Sequence, residues 1–345
     1  MVDPGFMTNS GLVTRLLPWA ALLVMGASWG LSFSFAKIVV KAGGTPFGVT
    51  FWQSLVCGVI LLVYTLARRR PLQITGRYLG IYVIVALLGA SVPNSLFYFA
   101  APHVQAGVLS ITVTLIPIIT YAVAMMIGSE RISAIRLTGV VCGAVAIGFL
   151  VVPESSLPSR AAMPWVLLAC ISAVCYALEN IYLARPSLQD IGPVRTACGM
   201  NLFAAMIMLP VAILTGQMFL PAFPFGTVEW TIIGLGLINA VAYTTFVMVI
   251  GLAGPVFASQ TGYVVTLAGV IWGIVLFGET HSAWVWASVA MMMLGLALVT
   301  PRGRASQTEM DRPEDNKTAR DKTAQDKTGR DKTGRGKGKD EITDL

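Results

Sequence analysis

Residues 104–130 read VQAGVLSITVTLIPIITYAVAMMIGSE, and residues 253–279 read AGPVFASQTGYVVTLAGVIWGIVLFGE. Each is an apolar stretch long enough to cross a bilayer, where about 30 Å of hydrocarbon needs roughly 20 helical residues. Each closes on a glutamate, and the two stand 149 residues apart. The match spreads outward. Pro18-Trp19 corresponds to Pro164-Trp165, Pro46 to Pro193, Ser95-Leu96-Phe97 to Thr244-Thr245-Phe246, Ser110 to Ser259, Glu130 to Glu279 and Pro153 to Pro301, with the offset drifting only between 146 and 149. Self-similarity over so long a period marks a duplicated architecture.

Ten such runs are read along the chain: 18–39, 47–67, 78–100, 104–127, 135–153, 164–184, 193–215, 228–250, 255–277 and 282–300. The expected fold is all-α and integral to a membrane, with ten transmembrane helices arranged as two inverted five-helix repeats, 18–153 and 164–301. An odd number of spans per repeat makes the second copy enter the membrane in the opposite sense from the first. Segment 1–17 reads as a cytoplasmic N-terminal piece. Segment 302–345, with its recurring Asp-Lys-Thr unit and almost no apolar side chains, reads as a disordered cytoplasmic tail.

Composition agrees. Of 345 residues 55% are hydrophobic and only 12% charged, too few polar side chains to cover a soluble globule of this size. The formal charge of +7 does not point to nucleic acid, because 12 of the 24 basic residues lie in the tail beside 10 of the 17 acids. The others flank the apolar runs, where basic residues set orientation. With both termini in the cytoplasm, eleven arginines, including Arg68, Arg69, Arg70, Arg77, Arg136 and Arg185, fall on the inner side, against Lys37, Lys41 and Arg160 outside. The reading is therefore a multi-pass protein of the inner (plasma) membrane. Its five cysteines fall inside apolar runs without metal-ligand spacing and read as small core residues. No metal and no cofactor are expected.

Polar residues inside the runs are the candidate site. Glu179 is the acid set well within a span, about five residues, or some 7 Å, from the middle of the sixth run. An acid near the bilayer centre costs about 2.5–3.5 kcal/mol on insertion scales, so it implies a cavity, a cationic partner or a proton. Asn94-Ser95 and Tyr243-Thr244 occupy equivalent stations in the two repeats, with Asn239 one turn before Tyr243. Trp29, Tyr98, Tyr176, Gln260 and Tyr263 complete the set, since aromatic walls with few polar groups hold small organic molecules. The alternative reading for Glu179 is an acid near enough to the cytoplasmic interface to reach Arg185 or water, and for the others it is interhelical hydrogen bonding or core packing. Trp19, Trp165, Trp230, Trp284 and Trp286 read as interfacial anchors. Glu130 and Glu279 read as water-accessible and structural, and His103 and His281 as outer-face residues. Gly139 and Gly143 read as a packing face within the monomer.

At these residues the chain resembles the EamA-type members of the drug/metabolite transporter superfamily. The resemblance runs from Pro18 to Pro301 and rests on Trp29-Gly30, on the run from Ala106-Gly107 through Pro117 to Glu130-Arg131, and on Gly278-Glu279. It departs from the pattern at Thr266, which stands where the first repeat has Pro117, and at Gln53, where many relatives carry a basic residue. The resemblance implies a secondary transporter with a central cavity among the third, fourth, eighth and ninth spans. The expected function is export of a small metabolite, an amino acid or similar compound, with a proton as candidate coupling ion and a monomer or homodimer in the bilayer. The chain is not expected to be an enzyme. A non-transporting scaffold or receptor, or a membrane enzyme, stands as the alternative.

Overall fold

The computed structural model describes residues 5–130, 132–153, 159–185, 188, 191–258 and 260–299, and within them the side chains of all but 5–15, 247 and 250–258. The expectations placed on Arg131, Ser259, Pro301, Arg302, Arg304 and the tail lie outside those residues, and the side chain of Arg15 lies outside the described side chains.

Among the described residues the chain forms helices and no strand. We number ten segments: α1 (Gly5–Lys41), α2 (Pro46–Ala67), α3 (Gly76–Ala100), α4 (Ala106–Met126), α5 (Ala134–Val151), α6 (Met163–Leu183), α7 (Pro193–Leu214), α8 (Thr227–Ala258), α9 (Thr261–Phe277) and α10 (Ala283–Val299). Seven of them, α1 through α7, are long and apolar enough to cross a membrane, and α9 and α10 are shorter apolar helices. Large apolar side chains such as Leu23, Val24, Val63, Ile271 and Val275 are exposed, which water would penalise and lipid would not.

The helix boundaries follow local chemistry. Pro46, Pro164 and Pro193 stand in the first turn of α2, α6 and α7, where the missing N–H removes a donor the helix could not have used. Gly278 ends α9 in a left-handed conformation, φ 61°, and Gly128 follows α4 with φ 73°. In α3 the run is interrupted by a π-turn at Leu87–Ser91, immediately before Pro93. Proline cannot donate to the i−4 carbonyl, and the wider turn accommodates that gap. A kink at Thr114 divides α4 three residues before Pro117, for the same reason.

Two boundaries differ from the sequence reading. A break is expected near Gly254, but α8 continues through Gly254-Pro255 to Ala258, leaving α9 only 17 residues. In an apolar environment every freed backbone group lacks a water partner, so the chain holds its helix past a weak breaker. At the other end, α1 is helical from Gly5, well before the expected start at Pro18.

The packing has a simple rule. α5 lies against α10, α2 against α7 and α4 against α9; α1 lies against α8 and α9, and α6 against α3 and α4; α2 touches α8 and α7 touches α3. Exchange every helix with the one five places along and each of these pairings maps onto another in the set. Small residues allow the closest approaches: a side chain on Gly139 would meet the Gly295 carbonyl, and one on Gly295 the Gly139 carbonyl, so α5 and α10 touch backbone to backbone. Gly139 and Gly143 thus pack within the monomer, on α10 and on Ile118 of α4.

Candidate functional site

Two matching polar links sit where the crossed helices meet. From α1, the Trp29 indole donates to Asn239 Oδ1 of α8 at 3.1 Å, and its ring meets Tyr243 edge-on with centroids 5.5 Å apart. From α6, the Tyr176 hydroxyl donates to Asn94 Oδ1 of α3 at 2.9 Å. Trp29 and Tyr176 stand 147 residues apart, the same offset as Pro46 and Pro193. Both links therefore join the first helix of one repeat to the third helix of the other.

Glu179 lies one turn beyond Tyr176 on α6, with 6% of its surface exposed. It has no hydrogen bond and no ion pair among the described residues. Its carboxylate rests on the backbone of the π-turn, where a Cβ on Gly89 would overlap its oxygens. Glycine is required there by close approach rather than by a special φ. Glu179 thus stands one turn from Tyr176, the donor of the second link, and against the π-turn that precedes Asn94.

Other sequence candidates lie apart from this group. Ser95 donates to the Ser91 carbonyl at 2.6 Å and meets Thr50 of α2 at 3.1 Å, a buried contact between α2 and α3. Thr244 bonds back to Ala240 in its own helix. Gln260 and Tyr263 sit in the joint and first turn of α9. Tyr98 is buried in the main apolar core beside Phe97. Gln53 is buried, and its Oε1 has no hydrogen-bond partner among the described residues.

The largest departure from the sequence reading is at the far end of α9. Glu279 is not water-accessible: its side chain is 4% exposed. Lys37 of α1 donates to Oε1 at 2.7 Å, the Ala106 amide donates to Oε1 at 2.8 Å, and the Gly107 amide donates to Oε2 at 3.1 Å. The carboxylate thus caps the N-terminus of α4, where the helix dipole and free N–H groups favour an anion, and neutralises a buried lysine. Lys37, expected as an outer flanking residue, is itself buried and also lies over the Phe277 ring, 4.8 Å from its centroid.

His281 is enclosed beside this clamp: its side chain is 1% exposed, and Nδ1 meets Gln105 Oε1 at 3.1 Å. Burial holds its imidazole below the ordinary histidine range, opposed by Glu279 and reinforced by Lys37. A side chain on Gly107 would collide with this ring, so glycine there allows the seal to close.

At the opposite end of α4, Glu130 accepts from Arg136 at 3.0 Å in a pair whose side chains are 49% and 25% exposed. Between the two ends, Ser110 and Thr114 of α4 engage Thr266 of α9. Ser110 Oγ donates to the Thr266 carbonyl at 3.1 Å, and the two threonine hydroxyls are 2.6 Å apart. Thr266, the residue that departs from the repeat's proline, therefore supplies the α9 side of that contact. Sequence reasoning missed Gly89, Thr114 and the role of Lys37, since nothing in their own neighbourhoods marks them. Of the tryptophans, Trp19, Trp230, Trp284 and Trp286 are exposed as interfacial anchors would be, while Trp165 stacks on His103 at 4.1 Å.

A family model described as "EamA-like transporter family" matches residues 17–152 and again residues 163–300. The "Uncharacterized inner membrane transporter YedA" of Escherichia coli K12 is 24% identical over 291 residues, covering 83% of this chain and 92% of that protein. A WAT1-related protein of Arabidopsis thaliana is 23% identical over 134 residues, 38% of this chain and 37% of its own. A solved structure known only as "Crystal structure of protein" superposes with a TM-score of 0.56 at 16% identity, covering 83% of this chain and 96% of its own, a likeness of fold. The chain belongs to the EamA-like transporter family and is a membrane transporter.

Proposed function

We propose that this EamA-like transporter is a secondary active carrier that moves a small metabolite, an amino acid or similar compound, outward across the inner membrane by alternating access. The observation that carries the reading is the exchange rule of the packing. A bundle whose main pairings survive swapping helix k for helix k+5 has two arrangements of closely similar energy, one open to each side. All ten helices cross the bilayer in this reading, as two inverted repeats at 18–153 and 164–301, with both termini cytoplasmic and 302–345 outside the transport unit. The inner-membrane assignment is supported by the name of the Escherichia coli relative, and the orientation by the basic residues of the flanks.

Substrate and coupling ion meet at Glu179, with Trp29, Asn94, Tyr176, Asn239 and Tyr243 as the surrounding wall. A carboxylate buried without a cation is costly, and a proton or a cationic group of the substrate relieves that cost in turn. Purified protein in liposomes, challenged with labelled metabolites under an imposed pH gradient, tests the reading. Glu179→Gln keeps the shape and removes the charge. It should insert normally and lose gradient-driven accumulation, or lose binding if the acid pairs with a cationic substrate. Unchanged accumulation and unchanged affinity would assign Glu179 a purely structural part. Reporter fusions after Arg70, near Arg160 and at Arg302 test the topology, with an outer signal at Arg302 excluding ten spans.

A further inference from the structure

Glu130 and Glu279 occupy one backbone station in two copies. Each follows its helix with an amide hydrogen bond reaching six residues back, Glu130 to Ala124 at 3.3 Å and Glu279 to Gly273 at 3.4 Å. Each stands 149 residues from the other, as do those two acceptors. Yet Glu279 is locked on Lys37 and the start of α4, while Glu130 holds only Arg136, a local neighbour at the surface. The repeat offset of 147, fixed by Pro46 and Pro193, puts Ala184 opposite Lys37, with Arg185 next to it. Arg185 is exposed, lies over the Tyr182 ring at 4.9 Å, and has no carboxylate partner among the described residues. α6, which ends at Leu183 two residues before Arg185, packs on α4 as α1, which carries Lys37, packs on α9.

We infer that the two glutamates are alternating latches: when Glu279 releases Lys37 and the N-terminus of α4, Glu130 leaves Arg136 and engages Arg185. The exchange rule of the helix packing relates the two, because the operation that maps α9 and α1 onto α4 and α6 carries Glu279 onto Glu130 and Lys37 onto Ala184, whose sequence neighbour Arg185 is the cation next to that station. The counterpart of the Ala106 amide is at Pro255, whose missing N–H and fixed φ suit the first position of a helix. α8 runs unbroken through that residue while Glu279 is latched, and the exchange predicts that it opens there when Glu130 takes over. The inference rests on the alternating-access reading.

The test needs no substrate. In full-length protein with the five native cysteines replaced by alanine or serine, Glu130→Cys with Arg185→Cys is treated in membranes with a short bismaleimide, and the intramolecular cross-linked fraction is measured. Adding Glu279→Gln should raise that fraction severalfold, Lys37→Met should do the same, and Lys37→Arg should leave it near the starting value. The matching pair Glu130→Cys with Arg136→Cys should move in the opposite direction in the Glu279→Gln background. A fraction that ignores Glu279→Gln, whether high or low, overturns the exchange, as does a rise shared equally by the Arg136 pair. Variants absent from the membrane are replaced by Glu279→Asp, which shortens the reach without removing the charge and should shift both fractions in the same sense as Glu279→Gln. Failure of the carrier reading is separable: it gives a responsive fraction in a protein that moves no solute, whereas failure of the exchange gives solute movement with an unresponsive fraction.

Discussion

The two ends of α4 carry the same kind of charge in opposite circumstances. At its N-terminus an acid from another repeat is buried among a lysine, two amides and a histidine. At its C-terminus the equivalent acid is half in water and paired with an arginine six residues along. Identical local sequence logic, a glutamate after a glycine-terminated helix, gives a non-local clamp in one place and a surface ion pair in the other. The difference teaches that a repeat's symmetry is a property of its sequence, while any one conformation breaks it.

That contrast has energetic consequences. Glu279→Gln leaves Lys37 buried without a counter-charge, and breaking a buried pair costs about 3–5 kcal/mol. Glu130→Gln removes an exposed pair and should cost about 0–1 kcal/mol. Thermal unfolding of both variants in the same detergent measures the gap. Equal losses would mean that the buried clamp contributes nothing beyond a surface pair.

The floor under Glu179 offers the next test. Gly89→Ala forces a methyl against the carboxylate and should cost about 1–3 kcal/mol by overpacking. Gly148→Ala in α5, where a Cβ would meet nothing, should instead stabilise by about 0.5–1 kcal/mol through lost chain entropy. If both substitutions shift the unfolding temperature alike, the contact between Glu179 and the π-turn is not a tight one.

The matched links make a finer comparison. Trp29→Phe and Tyr176→Phe each delete one interhelical hydrogen bond, worth about 0.5–1.5 kcal/mol, and each leaves an asparagine oxygen unmet. Nearly equal destabilisation is expected. A several-fold difference between them would show that the symmetry of geometry is not one of energy.

The smallest effect is a pH slope. His281 titrates below its ordinary value of about 6.5 when folded, so the unfolded chain binds the proton first. The stability it contributes is present above about pH 6.5 and is lost as pH falls through the lower folded value. His281→Asn should flatten the unfolding-temperature profile between pH 7 and 5. A wild-type profile already flat there would contradict the burial of this ring.

Much of the fold was legible in the residues. Apolar runs of membrane length, prolines at helix starts and glycines after helix ends mark segments whose causes are local, and the duplication at an offset near 148 announces itself through Pro18, Pro164, Glu130 and Glu279. Where a boundary depends on solvent, as at Gly254-Pro255, the local signal was overridden because helical hydrogen bonds have no substitute in lipid. The candidate site was partly legible. Glu179, Trp29, Asn239, Tyr243, Tyr176 and Asn94 stand out as polar or aromatic groups in apolar surroundings, and the structure joins Trp29 to Asn239 and Tyr243 and joins Tyr176 to Asn94, while Ser95, Thr244, Gln260 and Tyr263 carry the same signature and go elsewhere.

The sequence by itself determined that this protein lives in a membrane, that it is built twice over, and which side chains are too polar to be idle there, because composition and periodicity act residue by residue. Only the tertiary structure decided that Glu279 is a buried clamp and Glu130 a surface pair, that Lys37 is enclosed, and that Gly89 lies under Glu179. Those are questions of which distant helix ends meet, and the energy of a charge depends on its neighbours in space, which no local stretch of sequence specifies.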